Sequence, residues 1–212
     1  MMENSSPVIH EIFKVPIYEV RLDLDIKKLQ PFCNEYQQKD TGRIFSNVGG
    51  YQSKDLSLAD EALQPLIKEI NTHSSKFAKE FINNNEQVLS NMWININSYK
   101  DINKSHSHPG VDISGVYYVK TPDNCGKLVF ENPAIDVFAY YQINLLSNEP
   151  KAYNEYNSPT WWKDAIENHL LLFPSWLKHY VDANLNKTEE RISISFNTHQ
   201  KGDFWNHKAN KL

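Results

Sequence analysis

The chain has 212 residues, with 40% hydrophobic and 23% charged residues and a formal net charge of -4, a balance that fits one soluble domain with a real core. No long basic run is present, so charge gives no support for nucleic-acid binding, and no apolar run approaches the length of a membrane span. Cys33 and Cys125 stand far apart without a CxxC pair, and Met1 to Pro7 lacks a basic and an apolar region. Both features point to a cytoplasmic protein without a disulfide framework.

Read as one domain over 1–212, the chain divides into N-terminal strands and a helical flank (1–90), a β-barrel core (91–200) and a tail (201–212). Val8 to Leu24 is rich in β-branched and aromatic residues and is interrupted by Pro16. It predicts two short strands, the second alternating through Ile17, Glu19, Arg21 and Asp23. Asp25 to Lys39 predicts a helix with Ile26, Leu29 and Phe32 on one side, and Thr41 to Ser53 is turn-rich. The clearest helical spacing runs from Ala59 to Asn83 through Leu63, Leu66, Ile67, Ile70, Phe77 and Phe81, and the Asn83–Asn85 run ends it.

Strand patterns then take over. Asn91 to Tyr99 alternates Trp93, Asn95 and Asn97 against Met92, Ile94 and Ile96. Ile113 to Lys120 and Gly126 to Pro133 flank the turn Thr121–Asn124, and His169–Trp176 and Arg191–His199 complete the set. Helices followed by a run of strands predict a mainly β, α+β protein with a barrel core. Ala134 to Asn168 is irregular and aromatic, and reads equally well as a lid over a site or as a further strand or short helix.

The chemistry concentrates in His106-Ser107-His108, His179 and Arg191-Ile192-Ser193. Side chains alternate along an extended segment, so a His-x-His pair presents both imidazoles on one face. His179, on a distant strand, can close a metal site from the opposite side. Arg191 and Ser193 share the strand face opposite Ile192, Ile194 and Phe196, and an inward-facing arginine needs an anion. That anion is either an internal carboxylate or an anionic ligand gripped in a bidentate manner. Asp101 to Asp112 mimics a calcium loop but has His106 where the turn requires glycine.

The segments Asn91–Pro133, Leu170–Val181 and Arg191–Asn197, with the earlier IFKVPIY and SNVGGYQS, resemble the 2-oxoglutarate/Fe(II) oxygenases of marine bacteria and their phages. The resemblance covers most of the chain and implies a double-stranded β-helix, a jelly-roll barrel with iron at its mouth. It implies Fe(II) on His106, His108 and His179, and 2-oxoglutarate held by Arg191 and Ser193, with Tyr99 and Tyr118 as hydroxyl donors. The wider superfamily has His-x-Asp where this chain has His106-Ser107-His108, which leaves His108 or a carboxylate such as Asp112 as the third ligand. Three imidazoles admit zinc or nickel as well as iron.

The expected activity is a dioxygenase, a hydroxylase of an unnamed substrate that is either a small molecule or a protein side chain. The rival readings are cupin-like barrels without 2-oxoglutarate: a three-histidine dioxygenase, or a binding protein without catalysis. A homodimer is among the expected assemblies.

Overall fold

The computed structural model describes residues 8–82, 86–137 and 152–202. Two antiparallel sheets form the body. The larger has the order β1-β9-β6-β11-β4-β3, built from Tyr18–Arg21, His169–Pro174, Ile113–Lys120, Arg191–Gln200, Gln87–Asn97 and Tyr51–Gln52. The smaller has the order β2-β5-β10-β7-β8, from Asn47–Val48, Ile102–His106, His179–Val181, Lys127–Glu131 and Thr160–Asp164. This mainly β architecture with a few helices agrees with the expected fold class.

The period-two pattern of the long central strands decides what each face of the larger sheet does. Met92, Ile94 and Ile96 of β4 and Ile192, Ile194 and Phe196 of β11 face outward. There they join one core cluster with α1 (Ile26–Lys39) and α2 (Gln64–Phe81), through Leu29, Cys33, Leu66, Ile70 and Phe77. The other face meets the smaller sheet. Val116, Leu171 and Phe173 pack there on Leu128, Phe130 and Leu177, forming a second core at one end. Polar residues of β4 and β11 occupy the remainder of that inner face, so the two sheets enclose a chamber instead of a continuous core.

The strands β4 and β11 pair along almost their whole length, from Arg191 opposite Asn97 to Gln200 opposite Gln87. This ladder fixes the register of every inner-face residue, because a one-residue slip would turn the apolar set inward. Gly115 lies opposite Phe196. A Cβ at this glycine would stand 2.4 Å from the Phe196 ring and 2.7 Å from the Leu171 carbonyl oxygen, so only glycine fits.

Several expectations are corrected. Val8 to Leu24 holds one strand, Tyr18–Arg21, and not two. The earlier apolar residues have no strand partner: Ile9 is 87% and Phe13 94% exposed. The segment read as a plain turn region carries β2 and β3, which belong to different sheets. Gly49 and Gly50, at φ 67° and 60°, make the crossing, and a Cβ on Gly49 would stand 1.9 Å from the Asp101 carboxylate. The Ala59–Asn83 helix begins as a 3-10 turn, Glu61–Leu63, before α2 starts at Gln64 with Pro65 in its first turn.

Within the aromatic stretch, Thr160–Asp164 forms the edge strand β8, with Trp161 and Trp162 half exposed. The Asn83–Asn85 run, Phe138, Tyr140, Tyr141 and the tail beyond residue 202 lie outside the described residues.

Candidate metal and co-substrate site

A chamber of about 580 Å³ opens between the sheets. At one end His106, His108 and His179 bring one ligand nitrogen each within 4.8 Å of one another. The arrangement follows from strand pairing. His106 ends β5 and lies directly opposite His179 of β10. The third histidine is therefore a neighbour in the same sheet and does not close the site from the opposite side, as its distance in sequence suggested. His108 lies beyond β5, where its backbone N–H donates to the Ser175 carbonyl at 2.9 Å, and its ring stands 5.1 Å from that of His179.

Each imidazole is oriented through Nδ1. His106 Nδ1 lies 2.7 Å from the Lys104 carbonyl oxygen, and His179 Nδ1 lies 2.9 Å from that of Leu177. His108 Nδ1 lies 2.6 Å from Asn197 Oδ1. These oxygens only accept, so each ring carries its proton on Nδ1 and leaves an Nε2 lone pair toward the chamber. Burial lowers the pKa of His106, lowers that of His108 to about 4, and, helped by the neighbouring His106, lowers that of His179 to about 3. Three neutral imidazoles with converging lone pairs are a donor set suited to a divalent transition metal.

Among the described residues no Asp or Glu lines the chamber. Asp112, the alternative ligand carboxylate, is committed elsewhere: it accepts from the Gln200 backbone N–H at 2.8 Å and from Gln87 Nε2 at 3.2 Å.

At the other end lies Arg191, 1% exposed, with Ser193 and Tyr118 beside it on the same lining. Among the described residues no carboxylate pairs with this guanidinium. Its Nη1 donates to the carbonyl oxygens of Cys125 and Asp182, and its Nη2 is buried without a partner. A buried cation with an unused donor costs several kcal/mol until an anion meets it. Burial also raises the Tyr118 pKa, so the phenol stays protonated and can donate. Tyr118 lies opposite Ser193 across the β6–β11 pair. This end therefore fits the carboxylate of a bound dianion.

Tyr99 is not part of the lining. It sits on the turn after β4, 41% exposed, with the Lys100 ammonium over its ring. Other residues were not singled out by sequence: Asn197, which orients His108, and Arg43, whose guanidinium lies 5.1 Å from the Phe45 ring and 5.6 Å from that of Trp93. For Asn197 a signal existed, because it shares strand parity with Arg191 and Ser193.

Residues 91–197 match the model of a family described as "Putative 2OG-Fe(II) oxygenase". No curated protein matches. Among solved structures the chain is similar to a prolyl-4-hydroxylase of Pseudomonas putida, with a TM-score of 0.61 at 11% identity, covering 89% of this chain and 94% of that one. It is also similar to the viral collagen prolyl hydroxylase of Paramecium bursaria Chlorella virus-1 in complex with 2-oxoglutarate, with a TM-score of 0.54, 11% identity and coverages of 87% and 96%. HygX from Streptomyces hygroscopicus, with nickel and 2-oxoglutarate bound, gives a TM-score of 0.58 at 9% identity, with coverages of 89% and 84%. At such identities these likenesses establish the fold, a double-stranded β-helix.

Proposed function

This chain belongs to the 2OG-Fe(II) oxygenase family, and from that premise we propose that it is a hydroxylase whose Fe(II) is held by His106, His108 and His179 and whose 2-oxoglutarate is held by Arg191, Ser193 and Tyr118. The observation that carries the reading is Arg191: a buried guanidinium whose Nη2 has no partner, in a chamber that no carboxylate lines among the described residues. Fe(II) and 2-oxoglutarate, when bound, would supply oxidation of a substrate C–H bond by O₂, with the co-substrate converted to succinate and carbon dioxide.

The chain's own residues do the rest. Cys125 and Asp182 hold the Arg191 fork by their backbone carbonyls, so the guanidinium is oriented before a carboxylate arrives. The Tyr118 phenol and Ser193 hydroxyl add neutral donors at the same end. The imidazoles stay neutral because they are buried, so protons do not compete for Nε2 near neutral pH. Three neutral ligands leave a divalent ion's charge intact, and a dianionic co-substrate offsets it. Arg43, Trp93 and Phe45 form a wall along which substrate enters, Phe45 being 71% exposed.

No described helix is long and apolar enough to cross a membrane. We infer a reducing, cytoplasmic setting from the two cysteines, which are both free and buried.

The test is co-substrate consumption without added substrate. Protein loaded with Fe(II) converts 2-oxoglutarate slowly to succinate in air, and His179→Ala does not. Absence of succinate from the wild type at millimolar 2-oxoglutarate contradicts the proposal.

A further inference from the structure

His106 and His179 are each oriented by a backbone carbonyl, which has one polarity. His108 is oriented by an amide side chain, which has two. Rotating Asn197 by 180° about its amide would present a donor to His108 and place the imidazole proton on Nε2, where it blocks metal binding. Something must therefore choose the amide's direction. Ser114 Oγ, 2.8 Å from Asn197 Oδ1, cannot, because a hydroxyl rotates to donate or accept.

The remaining contacts of Asn197 lead outward. Its Nδ2 donates to Asn91 Oδ1 at 3.0 Å, the two being cross-strand partners of β11 and β4. Asn91 Nδ2 donates to Asp55 Oδ1 at 3.3 Å, and the same oxygen accepts from Arg43 Nη2 at 2.6 Å. Asp55 follows β3 and its side chain is 49% exposed. An ionised carboxylate only accepts. It therefore faces the Asn91 nitrogen, which turns the Asn91 oxygen to Asn197. The Asn197 nitrogen must face that oxygen, which turns Oδ1 to His108. His108 must then donate from Nδ1, and its Nε2 is left as a lone pair. Every link is polar in one sense, and the sense is set at the surface.

We propose that Asp55, acting through Asn91 and Asn197, is the positioning residue that fixes the tautomer of His108. It is a carboxylate partner for a metal-ligating histidine, displaced outward by two amides. The inference rests on the reading of His108 as a ligand, but its primary readout does not need metal.

The experiment is nitrogen-15 NMR of the imidazoles in the full-length, metal-free protein, paired with Co(II) titration of the same samples. In the wild type all three rings carry the proton on Nδ1. Asp55→Ala, a change at a half-exposed site, gives His108 a substantial population protonated on Nε2 and weakens Co(II) binding by about tenfold, near the lower limit for loss of a ligand's hydrogen-bond partner. His106 and His179 keep their tautomer and serve as internal controls. In the double variant Asp55→Ala/Asn197→Asp a carboxylate accepts from His108 directly, and both the tautomer and the affinity return.

An unchanged His108 tautomer in Asp55→Ala overturns the proposal. Equal shifts in all three histidines, which would mark a general disturbance, also overturn it. If wild type binds no Co(II) while the tautomers respond as described, the relay stands and the metal reading falls.

Discussion

The two ends of the chamber are built by opposite means. At the metal end every imidazole Nδ1 has its partner and the charge is zero. At the Arg191 end a full positive charge is buried with one nitrogen unsatisfied. The first end is complete before any ligand arrives, and orientation was settled by folding. The second is left incomplete, and its cost is recovered only when an anion binds. A protein can tolerate one such unpaired cation because its stability is a small difference of large terms. The contrast also assigns separable tasks: losing one end should leave the other working.

The largest expected effect is at the metal end. Removing one of three imidazoles, as in His179→Ala, lowers metal affinity by more than the 10–100-fold typical of losing a supporting hydrogen bond. Elemental analysis after dialysis should show little iron in this variant and nearly full iron in Arg191→Ala. Iron loss from Arg191→Ala would join the two ends that we treat as independent.

The next effect sharpens the contrast in charge. In the metal-free protein His108 and His179 have pKa values of about 4 and about 3, below the unfolded value of about 6.5. The unfolded chain therefore binds more protons as pH falls below about 6.5. Folding stability is complete above that value and declines from there toward pH 4, by about 1.4 kcal/mol per pH unit for each histidine. Denaturant melts of apoprotein at pH 7.5 and pH 5 measure this. Equal stability at the two pH values would mean that the imidazoles are not buried as described.

The smallest effect concerns a single neutral donor. Tyr118→Phe removes one hydroxyl from the co-substrate end and should weaken 2-oxoglutarate binding several-fold, in line with about 1 kcal/mol for a neutral hydrogen bond. No change would leave Tyr118 as packing only.

How much of this could be read from the residues depends on the length of the repeating pattern. In β4 and β11 the alternation spans enough residues to separate the inner from the outer face, and both faces came out as the pattern indicates. Strands of two or three residues, β2, β3 and β10, carry no such pattern; they exist because neighbours supply hydrogen bonds, which is a tertiary fact. His179 was legible as a residue type, but its place beside His106 is a consequence of pairing and not of spacing.

Tyr99 failed for a local reason. The chain turns at Lys100, where φ is 70°, and the tyrosine is carried outward as the inward-facing strand ends at Asn97. The carboxylate question between His108 and Asp112 was likewise a matter of partners, since Asp112 is bound to the Gln87 and Gln200 positions at the far end of the same ladder.

Arg191 is the residue proposed to hold the carboxylate of 2-oxoglutarate. Calorimetric titration of 2-oxoglutarate into the anaerobic, metal-loaded protein tests it most directly. The account predicts binding by the wild type and a loss of about tenfold to a hundredfold in Arg191→Ala, the value of one to two charge-assisted hydrogen bonds, with metal content unchanged. Equal affinity in wild type and Arg191→Ala would contradict it.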